Sequence, residues 1–181
     1  DTYKPQVMQV VLDMGADIIN DVWALRWSGD PKGQTGAEIV GQHASCGVCL
    51  MHMHRDPQTM QVAPMEGDVV LQVHDFLRGQ VQLLQGHGVD ASRIVLDPGI
   101  GFGKTVQQNF TLLAHQRQIQ SIGYPILAGW SRKSSLGAVT GLPVEDRLAP
   151  SVAAALLSVD RGARIVRVHD VRETVAALAV W

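Results

Sequence analysis

Short apolar runs that end in polar residues alternate along this chain with longer stretches whose apolar positions recur every three or four residues. ADIINDV (16–22) ends on Asn20 and Asp21, GVCLMHMH (47–54) on His52 and His54, and RIVLDPG (93–99) carries Asp97. PILAGWSRK (125–133) ends on Ser131, Arg132 and Lys133, and ARIVRVHD (163–170) on Arg167, His169 and Asp170. These five runs read as strands. Between the second and third, Val69, Val70, Val73, Phe76, Leu77, Val81 and Leu84 recur at helical spacing until Gly86 and Gly88 stop the pattern. The final stretch, HDVRETVAALAVW, predicts a helix that begins at an Asp and carries Val175, Leu178 and Ala179 on one face. Strands that alternate with helices imply a parallel α/β sheet, because each return crosses over through a helix.

An open doubly wound sheet and a closed (β/α)8 TIM barrel both satisfy that pattern. Polar residues at every strand end favour the barrel, in which all carboxyl ends converge on one site, whereas an open sheet gathers its ligand at a single switch point. Five units in 181 residues give about 36 residues each, and eight units need roughly 250 residues. The expectation is therefore one barrel domain over 1–181, its C-terminal two-thirds, lacking roughly the first three strands. The opening stretch DTYKPQVMQVVLDMGA fits this: Pro5 suits the first turn of a helix, and Asp1 is expected to be a strand's last residue.

Composition narrows the function. Apolar residues make up 46%, the net charge is −2 and the pI is near 6.4, which suits a folded domain with a sizeable core and argues against a nucleic-acid partner. No apolar run approaches the roughly 18 residues of a membrane span, and the first residues show no signal peptide, so a cytoplasmic setting is expected. Cys46 and Cys49 form a C-x-x-C, yet they lead into a strand rather than a helix N-terminus. Buried structural thiols are expected.

The stretch DPGIGFGKT (97–105) resembles a phosphate loop but places Pro98 where its first Gly belongs, and Pro offers no N–H to a phosphate. The GxGxG spacing also fails the dinucleotide fingerprint. Taken with the other strand ends, it contributes to a set of carboxylates (Asp1, Asp97), an amide (Asn20) and cations (Lys104, Arg132, Lys133, Arg167), with His169 beside them. A carboxylate such as Asp97 can accept two parallel N–H bonds from a 2-amino-pyrimidinone edge, and Arg167 with His169, two apart, can clamp a phosphate. Taken singly, an Asp before Pro-Gly often only starts a turn, and a strand-end Arg is commonly solvated. His52 and His54 raise an alternative, catalytic zinc held with His169 as in metal-dependent hydrolases, although the surrounding cations oppose it. A further alternative is a non-catalytic fragment with an open sheet edge.

DTYKP, ADIINDV, LMHM followed by PQTMQ, DPGIGFGKT, GWSRKSSLG and RVHDVRET, in this order and over the whole chain, resemble the dihydropteroate synthase family of the bacterial folate pathway. The resemblance implies a (β/α)8 barrel that joins 4-aminobenzoate to a dihydropterin methyl diphosphate and releases diphosphate. By the same resemblance Asp1, Asn20, Asp97 and Lys133 hold the pterin and Met51 lines its slot. Arg167 stacks near the pterin and binds the diphosphate with His169, while Phe102, Ser131 and Arg132 contact the aminobenzoate. Lys104 belongs to the substrate-binding set by shaping the 102–105 loop, and Lys133, Arg167 and His169 are the implied catalytic residues. Mg2+ is the implied cofactor, with its ligand before Asp1 and none in this chain, and a homodimer is implied. Without the loops expected before Asp1, the chain alone is expected to be inactive. The family pattern also places Gly where this chain has Arg55, at the turn beyond Met53.

Overall fold

The computed structural model describes residues 1–27, 32–56, 58–60, 62 and 65–181. Helix α1 (Pro5–Asp13) has Pro5 in its first turn and buries Pro5, Met8 and Leu12, spaced three and four apart. Strand β1 (Ile18–Asp21) follows, then α2 (Gly36–Gln42), which a reciprocal Thr35–Glu38 capping box starts. Strand β2 (Gly47–Met51) leads to α3 (Val69–Gly86), capped by Asp68, whose carboxylate accepts from the N–H groups of Val70 and Leu71. Six of the seven expected apolar positions of α3 are buried, and Phe76 packs half-buried against the same core.

The remaining elements are β3 (Ile94–Asp97), α4 (Val106–Ala114), α5 (Gln116–Gln120), β4 (Ile126–Ala128), α6 (Ser134–Thr140), α7 (Leu148–Asp160), β5 (Ala163–Val166) and α8 (Val171–Leu178). All five strands are parallel and lie in the order β1-β2-β3-β4-β5. A doubly wound sheet reverses its strand order at a switch point, and this sheet does not. It is five strands of a (β/α) barrel wall, with every carboxyl end on one rim. Val48, Leu50, Ile94, Leu96 and Ile126 join Val73, Leu77 and Leu84 in one core, each such side chain contributing about 1.5–3 kcal/mol on burial.

Two expectations need correction. The strands are shorter than the apolar runs: Asn20, Asp21 and Asp97 close β1 and β3 within the ladder, whereas His52, His54, Ser131, Arg132, Lys133, Arg167 and His169 lie past the strand ends in the segments that follow. Helix α8 does not bury a Val175–Leu178–Ala179 face: Val175 is 59% exposed and Ala179 lies past the helix as its cap. Its one buried residue is Thr174, whose hydroxyl donates to the Asp170 carbonyl. Asp1 and Thr2 lie outside regular structure, although the Thr2 N–H donates to the Asn20 carbonyl and so holds Asp1 beside the end of β1. Among the described residues no helix is long and apolar enough to cross a membrane.

Gly99 shows how tightly the rim is built. Its φ is +70°, and a Cβ added there would stand 1.8 Å from the His52 carbonyl oxygen. Gly141, at φ +73°, has nothing within 4 Å. Thermal melts should therefore show Gly99→Ala losing about 3 kcal/mol or more and Gly141→Ala losing about 1 kcal/mol. Equal losses would contradict this packing.

Candidate active site

The strand ends converge on a cavity of about 530 Å³. Asn20 reaches it from β1, Met51 from β2 and Asp97 from β3; Ser131, Arg132 and Lys133 come from the loop after β4, and Arg167 and His169 from the segment after β5. Asp1 and Phe102 complete the set, so ten of the eleven site residues expected from sequence line one space. Val22, Ile100, Gly129 and Val144 line it as well. Sequence reasoning passed over these four because they carry no distinctive chemistry.

Asp97 is the centre of charge. Only 9% exposed, its carboxylate accepts from the Gly99 N–H at 2.7 Å. Burial pushes the carboxyl above its ordinary range, while that N–H and the cations of Lys133, Lys104 and Arg167 oppose the rise. Lys133 feels the reciprocal balance: burial lowers its ammonium, Asp97 supports it and Arg167 opposes it. On the outer side, the Asn20 amide donates to one Asp1 oxygen at 2.6 Å and Arg167 to the other at 2.7 Å. Asp1 thus joins the first strand end to the last.

The loop after β4 turns on Arg132, whose φ is +57°. Its N–H donates to the Ser151 hydroxyl at 2.9 Å and its carbonyl accepts from Arg147 at 3.1 Å, so α7 and the residue before it hold the turn. The Arg132 guanidinium donates to both oxygens of Asp170, at 2.6 and 3.2 Å. Asp170, expected only to start the last helix, makes no side-chain cap there and is brought by the fold to Arg132, 38 positions away. The Ser131 oxygen accepts from the His169 backbone N–H at 3.2 Å and bonds the imidazole Nδ1 at 2.9 Å. Nε2 of His169 is thereby the nitrogen left for a ligand. Ser131 and Arg132, both expected to touch aminobenzoate, line the cavity with their polar groups already engaged.

Lys104 is the one candidate that the structure takes out of the cavity lining. Its Nζ donates to the carbonyls of Gly99 at 2.8 Å, Phe102 at 3.1 Å and His52 at 3.3 Å, and the residue is 5% exposed. An ammonium has three donors, and all three are used. Lys104 thus ties the loop after β3 to the end of β2, away from the cavity lining. Gly99, Gly101 and Gly103, all at positive φ, supply the curve that brings the carbonyls around it. Arg55, where the resemblance implied Gly, sits at φ +61°, a strain of about 1–2 kcal/mol for a side-chain-bearing residue.

The His52–His54 pair does not form a metal site. His52 is buried, its ring set edge-on to Phe76 of α3 at 4.9 Å, and burial beside Lys104 and Arg26 keeps its imidazole neutral far below the usual histidine range. Among the described residues no group of three or more His, Cys, Asp or Glu side chains could hold a metal ion. Cys46 and Cys49 are free and buried, and burial beside Asp97 pushes the Cys49 thiol well up, so it is not a reactive thiolate.

Residues 1–169 match the family described as pterin binding enzyme. A dihydropteroate synthase of Neisseria meningitidis serogroup B is 44% identical over 186 aligned residues, covering all of this chain and 63% of that protein. The chain therefore spans less than two-thirds of the length of this curated relative. A crystal structure of dihydropteroate synthase from Stenotrophomonas maltophilia with active site-bound imidazole superposes with a TM-score of 0.93 at 44% identity, covering all of this chain and 66% of that one. The Burkholderia cenocepacia enzyme complexed with 7,8-dihydropteroate superposes at 0.90 with 52% identity, covering all of this chain and 65% of its own.

Lys104 offers a direct check on this geometry. Burial lowers its pKa from the ordinary 10.5 to about 7, with Asp97 opposing the fall. Between those values the unfolded chain holds a proton that the folded chain has released, so the stability contributed by this group rises with pH across the window; below about 7 the full cost of burying the charge is present. Lys104→Met should lose about 3 kcal/mol at neutral pH by leaving carbonyls unpaired. Its melting temperature should also climb less than the wild type's between pH 7 and pH 10, and parallel curves would contradict the assignment.

Proposed function

The chain belongs to the pterin binding enzyme family, and from that premise we propose that its protein is a dihydropteroate synthase, joining 4-aminobenzoate to a dihydropterin methyl diphosphate with loss of diphosphate. The observation that carries this reading is the meeting of a buried carboxylate, Asp97, with Lys133 and Arg167 in one cavity. Such a site suits a flat heterocycle whose donor edge faces the carboxylate and whose side arm carries an anion toward the cations.

In this reading Asp97 accepts from the 2-amino group and the neighbouring ring N–H of the pterin, Asn20 bonds the same ring, and Lys133 donates to an acceptor on it. Arg167 and the Nε2 of His169 face the diphosphate. The bond between the pterin methylene carbon and the diphosphate oxygen breaks, and the oxygen leaves with the electron pair. Arg167 and His169 stabilise the negative charge that develops there. The positive methylene delocalises into the pterin ring, the aromatic amine attacks it, and the amine proton leaves to water. No side chain is needed as general base, since an arylamine is a neutral nucleophile at pH 7. The Mg2+ implied by the resemblance finds no fitting ligand set among the described residues, and no step here runs through it. A cytoplasmic setting is part of the reading, supported by the two free cysteines, and so is a homodimer, supported by the exposed apolar residues Leu157, Val171 and Val175 on α7 and α8.

The test is titration of the protein with a bare pterin and with the pterin methyl diphosphate. Asp97→Asn should weaken both by about 2 kcal/mol or more, roughly 30-fold. Arg167→Ala should weaken the diphosphate ester more than the bare pterin. Unchanged affinity in Asp97→Asn, or equal losses for both ligands in Arg167→Ala, would sink the assignment.

A further inference from the structure

Lys133 has a neighbour with no assigned part in its chemistry. Its Nζ stands 4.4 Å from the centroid of the Phe102 ring, within the range of a cation–π contact. The same lysine runs along the loop that carries Phe102: a Cβ added to Gly101 would lie 3.4 Å from its Cδ.

That loop is fixed. The Phe102 N–H donates to the Gly99 carbonyl at 3.1 Å, and its own carbonyl accepts from Lys104 at 3.1 Å. The Gly103 carbonyl accepts from the Met65 N–H, and the Gly101 N–H donates to Asn109 at 2.9 Å. Asn109, 1% exposed, in turn donates to Ser135 at 2.9 Å, two residues beyond Lys133. The aromatic ring and the lysine thus stand on two segments bonded to one another through Asn109.

The charges bearing on Lys133 explain what the ring adds. Asp97 from β3 draws the ammonium inward, and Arg167 after β5 repels it. These two forces alone leave the amine pulled toward the carboxylate, where it would compete with a bound ring for Asp97. The Phe102 ring face, 4.4 Å from the same ammonium, gives it a second attraction besides Asp97.

We propose that Phe102 is a positioning residue for Lys133, its ring face holding the ammonium at the cavity wall so that Asp97 stays open to the ligand. The functional part of this rests on the pterin reading above, whereas the contact itself does not. The test replaces Phe102 by mono-, di- and trifluorophenylalanine, which keep its size and shape while draining the negative face of the ring step by step. The Lys133 amine is followed by NMR titration of its Nζ, and pterin affinity by calorimetry. Each added fluorine should shift the Lys133 titration and weaken pterin binding, the weakening reaching roughly threefold to tenfold for the trifluoro variant, the span expected of a partly desolvated cation–π contact. A Lys133 titration unchanged across the series would overturn the proposal whatever the pterin does, as would pterin affinity that stays level while the lysine shifts. A stepwise lysine shift in a protein that binds no pterin even with native Phe102 would uphold the contact and count instead against the pterin reading.

Discussion

A carboxylate with almost no water around it governs this structure. Asp97 is 9% exposed at the end of β3, and a buried anion persists only where donors and cations replace its hydration. Those groups come from separate places: the Gly99 N–H just beyond the strand, Lys104 further along that loop, Lys133 after β4 and Arg167 after β5. A sequential parallel sheet that curls its carboxyl ends onto one rim is an arrangement that can bring all four together. The same convergence gives the cavity a buried acceptor facing cations from three other segments, which is the asymmetry the proposed chemistry uses.

Lys104 and the three glycines before it keep that acceptor in place. Because the ammonium satisfies carbonyls from both the β2 end and the β3 loop, the loop is rigid without any regular structure of its own. Rigidity here has an opposite in the outer pair Asp1–Arg167, whose side chains are 54% and 62% exposed. An exposed ion pair contributes little to stability, so Arg167 can exchange Asp1 for a ligand at small cost. A firm inner carboxylate beside a loosely held outer arginine suits a ligand with an invariant ring at one end and a departing anion at the other.

Much of this was legible in the sequence because it depends on period and position. The α3 pattern from Val69 to Leu84 and the polar residues closing each apolar run follow from local spacing, and they place Asn20, Asp97, Lys133 and Arg167 on one rim. What stayed hidden depends on contacts between distant loops. Nothing local tells that Arg132 spends its guanidinium on Asp170, that Ser131 turns His169, or that Lys104 donates to three backbone carbonyls. The His52–His54 pair, raised only as an alternative, lies past the end of β2, where His52 packs on Phe76. Arg55 takes a left-handed backbone, the conformation that the glycine implied by the resemblance would adopt without strain.

The central claim is that Asp97 reads the amino-bearing edge of a pterin, and the ligand itself can test it without altering the protein. Calorimetric titration with a pterin and with its analogue lacking only the 2-amino group compares the two directly. Loss of one charge-assisted hydrogen bond in a buried site should weaken the analogue by about tenfold or more. Equal affinity for the two compounds would contradict a carboxylate-read pterin edge.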